Sequence, residues 1–436
     1  MNKKTITRTM ALGILAGVAA TGGVQAQEDG GNLLLRKLVE KGVLTQKEAD
    51  ELLAESRQEA KQQYTMWQKD NYVPSWVKKL TMKGDLRFRY ENFNSAGHGN
   101  TKPARERFRY RLRYGVAAKL NDAWMVGFRL ASGGTGNSVS TNETMDDDGG
   151  NDDLNIDQAY AAWTPYDDMK ITFGKMPNPL RLDDAVWDSD YTPEGVAFSY
   201  AYELSQNHKV GVALGGIIVD ESGSDSSDAY AGLAQVTLDS TLTSRVSSYF
   251  GVATYNLFNK EAAKELGASY MRGNTATYSG NPVTQVNNQN YNPYIFDGAL
   301  TYQMDSFPAY QGTFPISFGG TYITNPTLDD EERGYLVTIK FGKAKKVGNW
   351  EMGYQFRELQ ADSLYDNWVA DDYGAYGVGG DSNSYYAGTD VRGHVVHFKY
   401  QLTASMQCAA RVMRTEALTT SSHETTRGQF DLIWKF

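Results

Sequence analysis

Arg107-Phe108-Arg109-Tyr110-Arg111-Leu112-Arg113-Tyr114-Gly115-Val116 is the stretch whose reading decides the fold. Arginine alternates with Phe108, Tyr110, Leu112 and Tyr114, a period of two. Successive side chains of a strand point to opposite faces, so this segment has one apolar and one charged face. A soluble antiparallel sheet also alternates. Its apolar face favours Val, Ile and Leu packed on a second layer, however, and a stack of arginines would be unusual there. The preceding segment repeats the pattern: Leu80, Met82, Gly84, Leu86, Phe88 and Tyr90 alternate with Thr81, Lys83, Asp85, Arg87, Arg89 and Glu91. The chain ends on it again. Gly428, Phe430, Leu432, Trp434 and Phe436 fall on one face, with Arg427, Gln429, Asp431 and Lys435 on the other.

Working outward, such segments number sixteen, beginning near Leu80, Arg105, Ala123, Leu154, Met169, Glu194, Lys209, Ala229, Leu242, Pro293, Pro315, Gly334, Asn349, Val391, Met406 and Thr426. Their connections alternate short and long. Asn121-Asp122, Pro165–Asp168 and Gln206–His208 are tight, whereas long polar stretches follow Ser132, Lys175 and Asp220, and then occupy Phe258–Asn292 and Ala361–Asp390. Short periplasmic turns, long external loops and an even strand number define a bacterial all-β transmembrane barrel, here of about 16 antiparallel strands. A propeller would repeat a motif per blade, and none is present. After the first residues no run of about 18 apolar residues occurs, which excludes helical spans.

Residues 1–26 read as a signal peptide. Lys3, Lys4 and Arg8 precede the short apolar run Met10–Ala20, and Val24-Gln25-Ala26 has small residues where the cleaving peptidase requires them. Removing those three cations takes the formal charge from −9 to −12. Residues 27–75 read as a periplasmic helical, coiled-coil-like segment. Leu33, Leu34, Leu35, Leu38 and Val39 form an apolar stripe, Gly42 is placed as a C-cap, and Thr45 with Glu48 has capping-box spacing. The second stripe, with Ala49, Leu52, Leu53, Ser56 and Ala60 on one side of a helix running toward Tyr64, is narrow and calls for a partner helix. An oligomerisation stalk and a solvated linker both fit. Residues 76–436 are the barrel domain.

Two further stretches carry a resemblance. Gly174-Lys175-Met176-Pro177-Asn178-Pro179, followed by Trp187-Asp188-Ser189-Asp190 and Thr192-Pro193-Glu194-Gly195, resembles the third external loop of the "putative porin" family of Gram-negative outer-membrane barrels, related in design to phosphate-selective porins. Leu38–Thr45 is similar to the short helical segment its members tend to carry. The resemblance covers nearly the whole mature chain. It implies an outer-membrane barrel with a periplasmic N-terminus, forming a water-filled channel for passive diffusion of ions and small polar solutes. It also implies a homotrimer, with outer-membrane lipid and lipopolysaccharide as surroundings. The C-terminal Phe430, Leu432, Trp434 and Phe436 would be the signal read by the barrel assembly machinery. In porins of this size the third loop narrows the lumen, which makes Lys175, Arg181, Asp183, Asp184, Asp188, Asp190 and Glu194 the expected constriction residues.

On the wall, Lys83, Arg87, Arg89, Arg107, Arg109, Arg111 and Arg113 are the expected pore-lining residues. A row of cations facing an acidic loop would set up a transverse field, and rings of charge bias ion sign. The other reading of each arginine is a structural ladder paired to neighbouring carboxylates. Selectivity stays open between the acidic tracts Asp146–Asp148, Asp152–Asp153 and Asp220–Asp228, which favour cations, and the arginines, which favour anions. A dedicated phosphate or other anion site using the same arginines is the alternative.

An enzyme would need a nucleophile, a base and an orienting group together. None of the five histidines sits in a catalytic motif, and there is no Gly-x-Ser-x-Gly elbow. His394 and His397 are three apart on a strand and so on opposite faces. No zinc pattern or ordered calcium-loop spacing occurs, and no cofactor, metal or nucleic-acid partner is expected. The single Cys408 reads as a small strand residue, and Trp434 with the many tyrosines as an interface girdle. A third class, a non-conducting adhesin or cell-wall-tethered scaffold, stays open for want of any binding motif to decide it.

Overall fold

The computed structural model describes residues 35, 37–55, 58, 79–97, 104–146, 148–221, 228–259, 272–275, 277–279, 284–286, 291–378, 385–419 and 423–436. The expected signal peptide, the stretch of the second helix toward Tyr64 and parts of the acidic tracts lie outside them. The chain divides into two units, Met1–Lys78 and Lys79–Phe436.

In the first unit, residues 37–40 and 46–55 are helical. The capping box forms as its spacing requires. Thr45 N donates to Glu48 Oε2 at 3.0 Å, and Glu48 N donates back to Thr45 Oγ1 at 3.3 Å. Gly42 takes φ +69°, the left-handed geometry that ends a helix, and Val43 N reaches back to Leu38 O at 3.0 Å. Across that turn Leu35 and Leu38 pack with Leu44, Ala49 and Leu52. Each narrow stripe is thus the other's partner.

The second unit is a closed sheet of sixteen strands. The first four are β1 (Leu80–Gly97), β2 (Arg105–Lys119), β3 (Trp124–Ala131) and β4 (Asn155–Tyr166). Then come β5 (Met169–Lys175), β6 (Glu194–Ser205), β7 (His208–Asp220) and β8 (Ala229–Thr241). β9 (Val246–Phe258), β10 (Tyr294–Met304), β11 (Phe314–Thr324) and β12 (Arg333–Gly342) follow. β13 (Trp350–Leu359), β14 (Val391–Gln401), β15 (Met406–Ala417) and β16 (His423–Lys435) complete it. Each strand pairs antiparallel with the next in sequence, and β16 returns to β1 with Leu86 opposite Trp434 and Arg89 opposite Asp431. Closure leaves no unpaired edge, which a bilayer interior demands because no water is there to satisfy one. At the seam Gly84 N donates to Phe436 O at 2.7 Å and Phe436 N to Gly84 O at 3.1 Å.

Burial along the strands is inverted relative to a soluble protein. Phe88, Phe108, Phe128, Phe250, Phe318 and Phe430 are exposed on the outside, whereas Glu91 and Arg427, on the alternate face, are 0% and 1% exposed. Ion pairs have replaced apolar packing in this part of the interior, and the apolar surface faces outward. His394 and His397 do fall on opposite faces: the first is exposed beside Tyr354, the second half-buried beside Glu351.

The interior is not empty. The third long connection (176–193) and the described parts of the seventh (360–378 and 385–390) pack inside the barrel, with Leu180, Val186 and Trp187 of one and Leu364, Trp368 and Val369 of the other joining inward wall residues such as Ile217, Leu233 and Ile323 in one core. Trp187, Tyr255, Tyr365 and Trp368 form its aromatic centre, the two tryptophan rings being 4.7 Å apart. The girdle reading of the tyrosines is therefore corrected for Tyr255, Tyr291, Tyr365 and Tyr373, all 2% exposed or less and inside. Period two assigns a face to a strand residue, but it is silent on a loop that turns inward.

Candidate functional site

The charged interior begins with the register between β1 and β2. Asp85 stands opposite Arg113 and Glu91 opposite Arg107, but between them Arg87 faces Arg111 and Arg89 faces Arg109. Like charges directly opposed on one face repel. The two like-charged rungs therefore call for more carboxylates than Asp85 and Glu91 of β1 supply.

The inserted loops and β16 bring them. From the third loop, Asp190 pairs with Arg113 at 2.7 Å and lies 3.7 Å from Arg111, while Asp85 bridges the same two arginines at 2.8 and 2.7 Å. From the seventh loop, Asp372 pairs with Arg89 at 2.8 Å and Arg427 at 2.7 Å, and lies 3.7 Å from Arg411 of β15. Asp431 holds the other side of Arg89 at 2.7 Å, and Glu91 holds Arg427 at 2.5 Å and also pairs with Arg107. The Arg427 guanidinium lies between the rings of Phe93 and Tyr385, 4.8 and 5.4 Å from their centroids. Burial alone would raise the Asp372 carboxyl, but Arg89, Arg427 and Arg411 hold it well below the usual carboxylate range.

The expected wall row thus divides. Arg89, Arg107, Arg111 and Arg113 sit in ion pairs, the ladder reading; Lys83 is exposed. Arg87 and Arg109 have no carboxylate within salt-bridge reach among the described residues. Arg87 donates to the Asn142 side chain, Arg109 to the Asn142 carbonyl at 3.1 Å, and the Nε of each is buried without a partner.

The third-loop residues divide as well. Asp183 lies 3.9 Å from Arg357 of β13 and accepts from Ala185 N at 3.0 Å. Burial would raise its carboxyl, yet Arg357 and that amide bring it below the ordinary value. Asp184 and Asp188 form no described ion pair, and burial followed by the nearby Asp183 or Asp190 pushes both up. Asp371 of the seventh loop is raised in the same way, by burial and by Asp372. Arg181 stacks 3.9 Å above Tyr249 and pairs with Asp239 at 2.8 Å. Lys175 and Glu194 pair with each other at 2.9 Å across the base of the loop, apart from the arginine wall.

The sequence reading missed Asp371 and Asp372, and with them Arg357 and Arg411; it put Arg427 on the charged face of the last strand but not among the pore-lining residues. The signal was present: Leu364, Tyr365, Trp368 and Val369 are too apolar a run for a wholly external loop. Among the described residues no His, Cys, Asp or Glu group is arranged to hold a metal.

A closed antiparallel barrel with an apolar outside and an ion-paired inside is a multi-pass barrel of the bacterial outer membrane. Residues 93–307 match the model described as "putative porin". Among solved structures, Pseudomonas putida OprB at high pH aligns with TM-score 0.51 and 7% identity over 83% of this chain and 96% of that one. At such identity the likeness speaks for the fold alone. Salmonella typhi OmpF in complex with daunomycin aligns at TM-score 0.47 and 8% identity over 82% of this chain and 97% of that one. The outer membrane channel DcaP of Acinetobacter baumannii gives 0.44 and 11% over 82% and 97%. No curated protein matches the sequence. Family and fold point to an outer-membrane channel rather than an enzyme.

Proposed function

We propose that the chain is a porin through which ions and small hydrophilic solutes diffuse passively, sorted by size and by charge. The observation that carries this reading is the interior itself: an arginine wall on β1 and β2 faces carboxylates of two inserted loops, Asp190 and Asp372 being the contact points. Such a lumen favours water and polar solutes and penalises apolar ones. Lys83, Arg87, Arg89, Arg107, Arg109, Arg111 and Arg113 line the water path in this proposal. Asp183, Asp184, Asp188 and Asp190 narrow it, together with the seventh loop. Secretion by residues 1–26, a periplasmic segment over 27–75, a homotrimer in lipopolysaccharide-containing lipid, and recognition of Phe430, Leu432, Trp434 and Phe436 by the assembly machinery belong to the same proposal. They rest on the sequence patterns and the family resemblance.

Single-channel current in a planar bilayer under a salt gradient tests it. Stepwise conductance in groups of three is expected, and the reversal potential reads which charge row dominates. A folded, heat-modifiable barrel that never conducts would overturn the reading in favour of an adhesin or scaffold.

A further inference from the structure

Between the wall and the two loops lies a polar cavity of about 100 Å³. Its charges are sorted by origin. Arg87, Arg89, Arg111, Arg357 and Arg411 all come from wall strands, and Asp184, Asp188, Asp190, Asp371 and Asp372 all come from inserted loops. Some of these neutralise one another: Arg111 with Asp190, and Arg89 and Arg411 with Asp372. What remains is unmatched on both sides. Among the described residues Arg87, 9% exposed, has only the Asn142 amide, and its Nε has no partner. Arg357 donates its Nε to the Gln355 side chain and stacks 4.8 Å over the Tyr373 ring, but its nearest described carboxylate, Asp183, is 3.9 Å away. Opposite them, the Asp188 carboxylate, 8% exposed, accepts one backbone amide, that of Asp190 at 2.7 Å, and Asp184 forms no described ion pair.

We propose that this cavity is a binding site for small zwitterions, molecules of the size and chemistry of an α-amino acid. The carboxylate would lie on Arg87 and Arg357, and the ammonium on Asp188, Asp184 and Asp371. The inference rests on the channel reading and names its preferred solute. A simple anion would satisfy the arginines but meet the unmatched aspartates. A simple cation would meet the reverse. A neutral solute would leave both sets of buried charges without the charge-assisted hydrogen bonds they lack. Only a dipolar molecule offers a partner to each side, and its zero net charge suits a lining of as many aspartates as arginines. The carboxyls of Asp188 and Asp371, both raised by burial and by neighbouring carboxylates, indicate a cluster that an ammonium group would relieve.

The test is proteoliposome uptake and single-channel block by the full chain with four probes of similar size: alanine, propionate, ethylammonium and lactamide. Alanine should saturate, with a half-saturation roughly tenfold below any other probe, the scale of one charge-assisted hydrogen bond. Arg87→Gln and Asp188→Asn should each raise that half-saturation by a similar factor. Equal saturation by propionate would overturn the proposal in favour of an anion site. Uptake of alanine no different from lactamide would overturn it while leaving the channel intact. Absence of current with every probe and with salt alone would instead remove the channel reading, and the proposal with it. The comparison of probes in the unaltered protein stands even if a variant fails to fold.

Discussion

Replacing Asp372 by alanine should release the seventh loop while leaving the barrel closed. The carboxylate is shared by Arg89 at 2.8 Å and Arg427 at 2.7 Å, whose side chains are 3% and 2% exposed, with Arg411 at 3.7 Å. Removing one partner of a buried ion pair costs about 3–5 kcal/mol, because the remaining charge stays out of water. Here Arg89 keeps Asp431 at 2.7 Å and Arg427 keeps Glu91 at 2.5 Å. The lower end, about 3 kcal/mol, therefore applies, which is roughly a hundredfold in the ratio of docked to undocked loop. The cost should fall on docking, since β1 and β16 remain joined by thirteen register pairs from Asp85–Lys435 to Gly97–His423. Limited proteolysis within 360–390 and single-channel current noise read the docking, and heat-modifiability reads the barrel. Asp372→Asn, which keeps the volume and part of the hydrogen bonding, should be intermediate. Unchanged cleavage and unchanged noise in Asp372→Ala would refute the reasoning, as would a barrel that melts early around a loop that stays protected.

Two further outcomes follow from the same contacts. Burial pushes the Asp366 carboxyl from 3.8 up to about 6, against the backbone amides of Asn274 and Arg272 that lower it. The docked loop therefore binds the extra proton, and its stabilisation, full below pH 3.8, is lost as pH rises through about 6; Asp184, Asp188 and Asp371 shift in the same direction. Protease protection of the seventh loop should fall across that window, and Asp366→Asn should flatten the fall. At the seam, a Cβ on Gly84 would stand 2.5 Å from the Phe436 ring and 2.7 Å from the Arg113 carbonyl. Gly84→Val should then cost about 1–3 kcal/mol by overpacking, measured as a lower heat-modification temperature; an unaltered temperature would show that the last strand has room to move.

The strands were legible because a barrel strand is a local object. Leu80, Arg105, Met169, Glu194, Ala229, Val391 and Met406 are both the expected and the observed first residues. Where the reading slipped, as at Leu242 against Val246, an apolar residue sits in the turn, with Leu242 N donating to Val246 O at 2.9 Å. The phase was legible too: Phe88 and Phe108 face out, Arg89 and Arg109 face in. The partners of those arginines were not. Arg89 and Asp372 are 283 positions apart, and no periodicity links a strand residue to a loop residue at that distance. Within the third loop the resemblance treated the expected residues as one group, and it did not separate Asp190, which binds the wall, from Lys175 and Glu194, which bind each other.

The two like-charged rungs, Arg87 against Arg111 and Arg89 against Arg109, explain why loop and wall cannot be treated as separate parts. Four inward arginines on adjacent strands make a wall that repels itself. A barrel built of strands alone would have to hydrate that charge in an open pore or neutralise it with further acidic strands. This chain does neither for every rung. It neutralises Arg89 and Arg111 with strand carboxylates, Asp431 and Asp85, together with aspartates carried on loops, which also bring in Trp187 and Trp368 to cover the apolar side of the lumen. Among the described residues Arg87 and Arg109 are left with only the Asn142 amide group and carbonyl. Charge and constriction are therefore one construction: a substitution in the seventh loop changes the field at β1, and a substitution at β1 changes how firmly the loop is held. It follows that selectivity and gating noise should move together in Asp372 variants, whereas in a pore whose loops were mere obstructions they would vary independently.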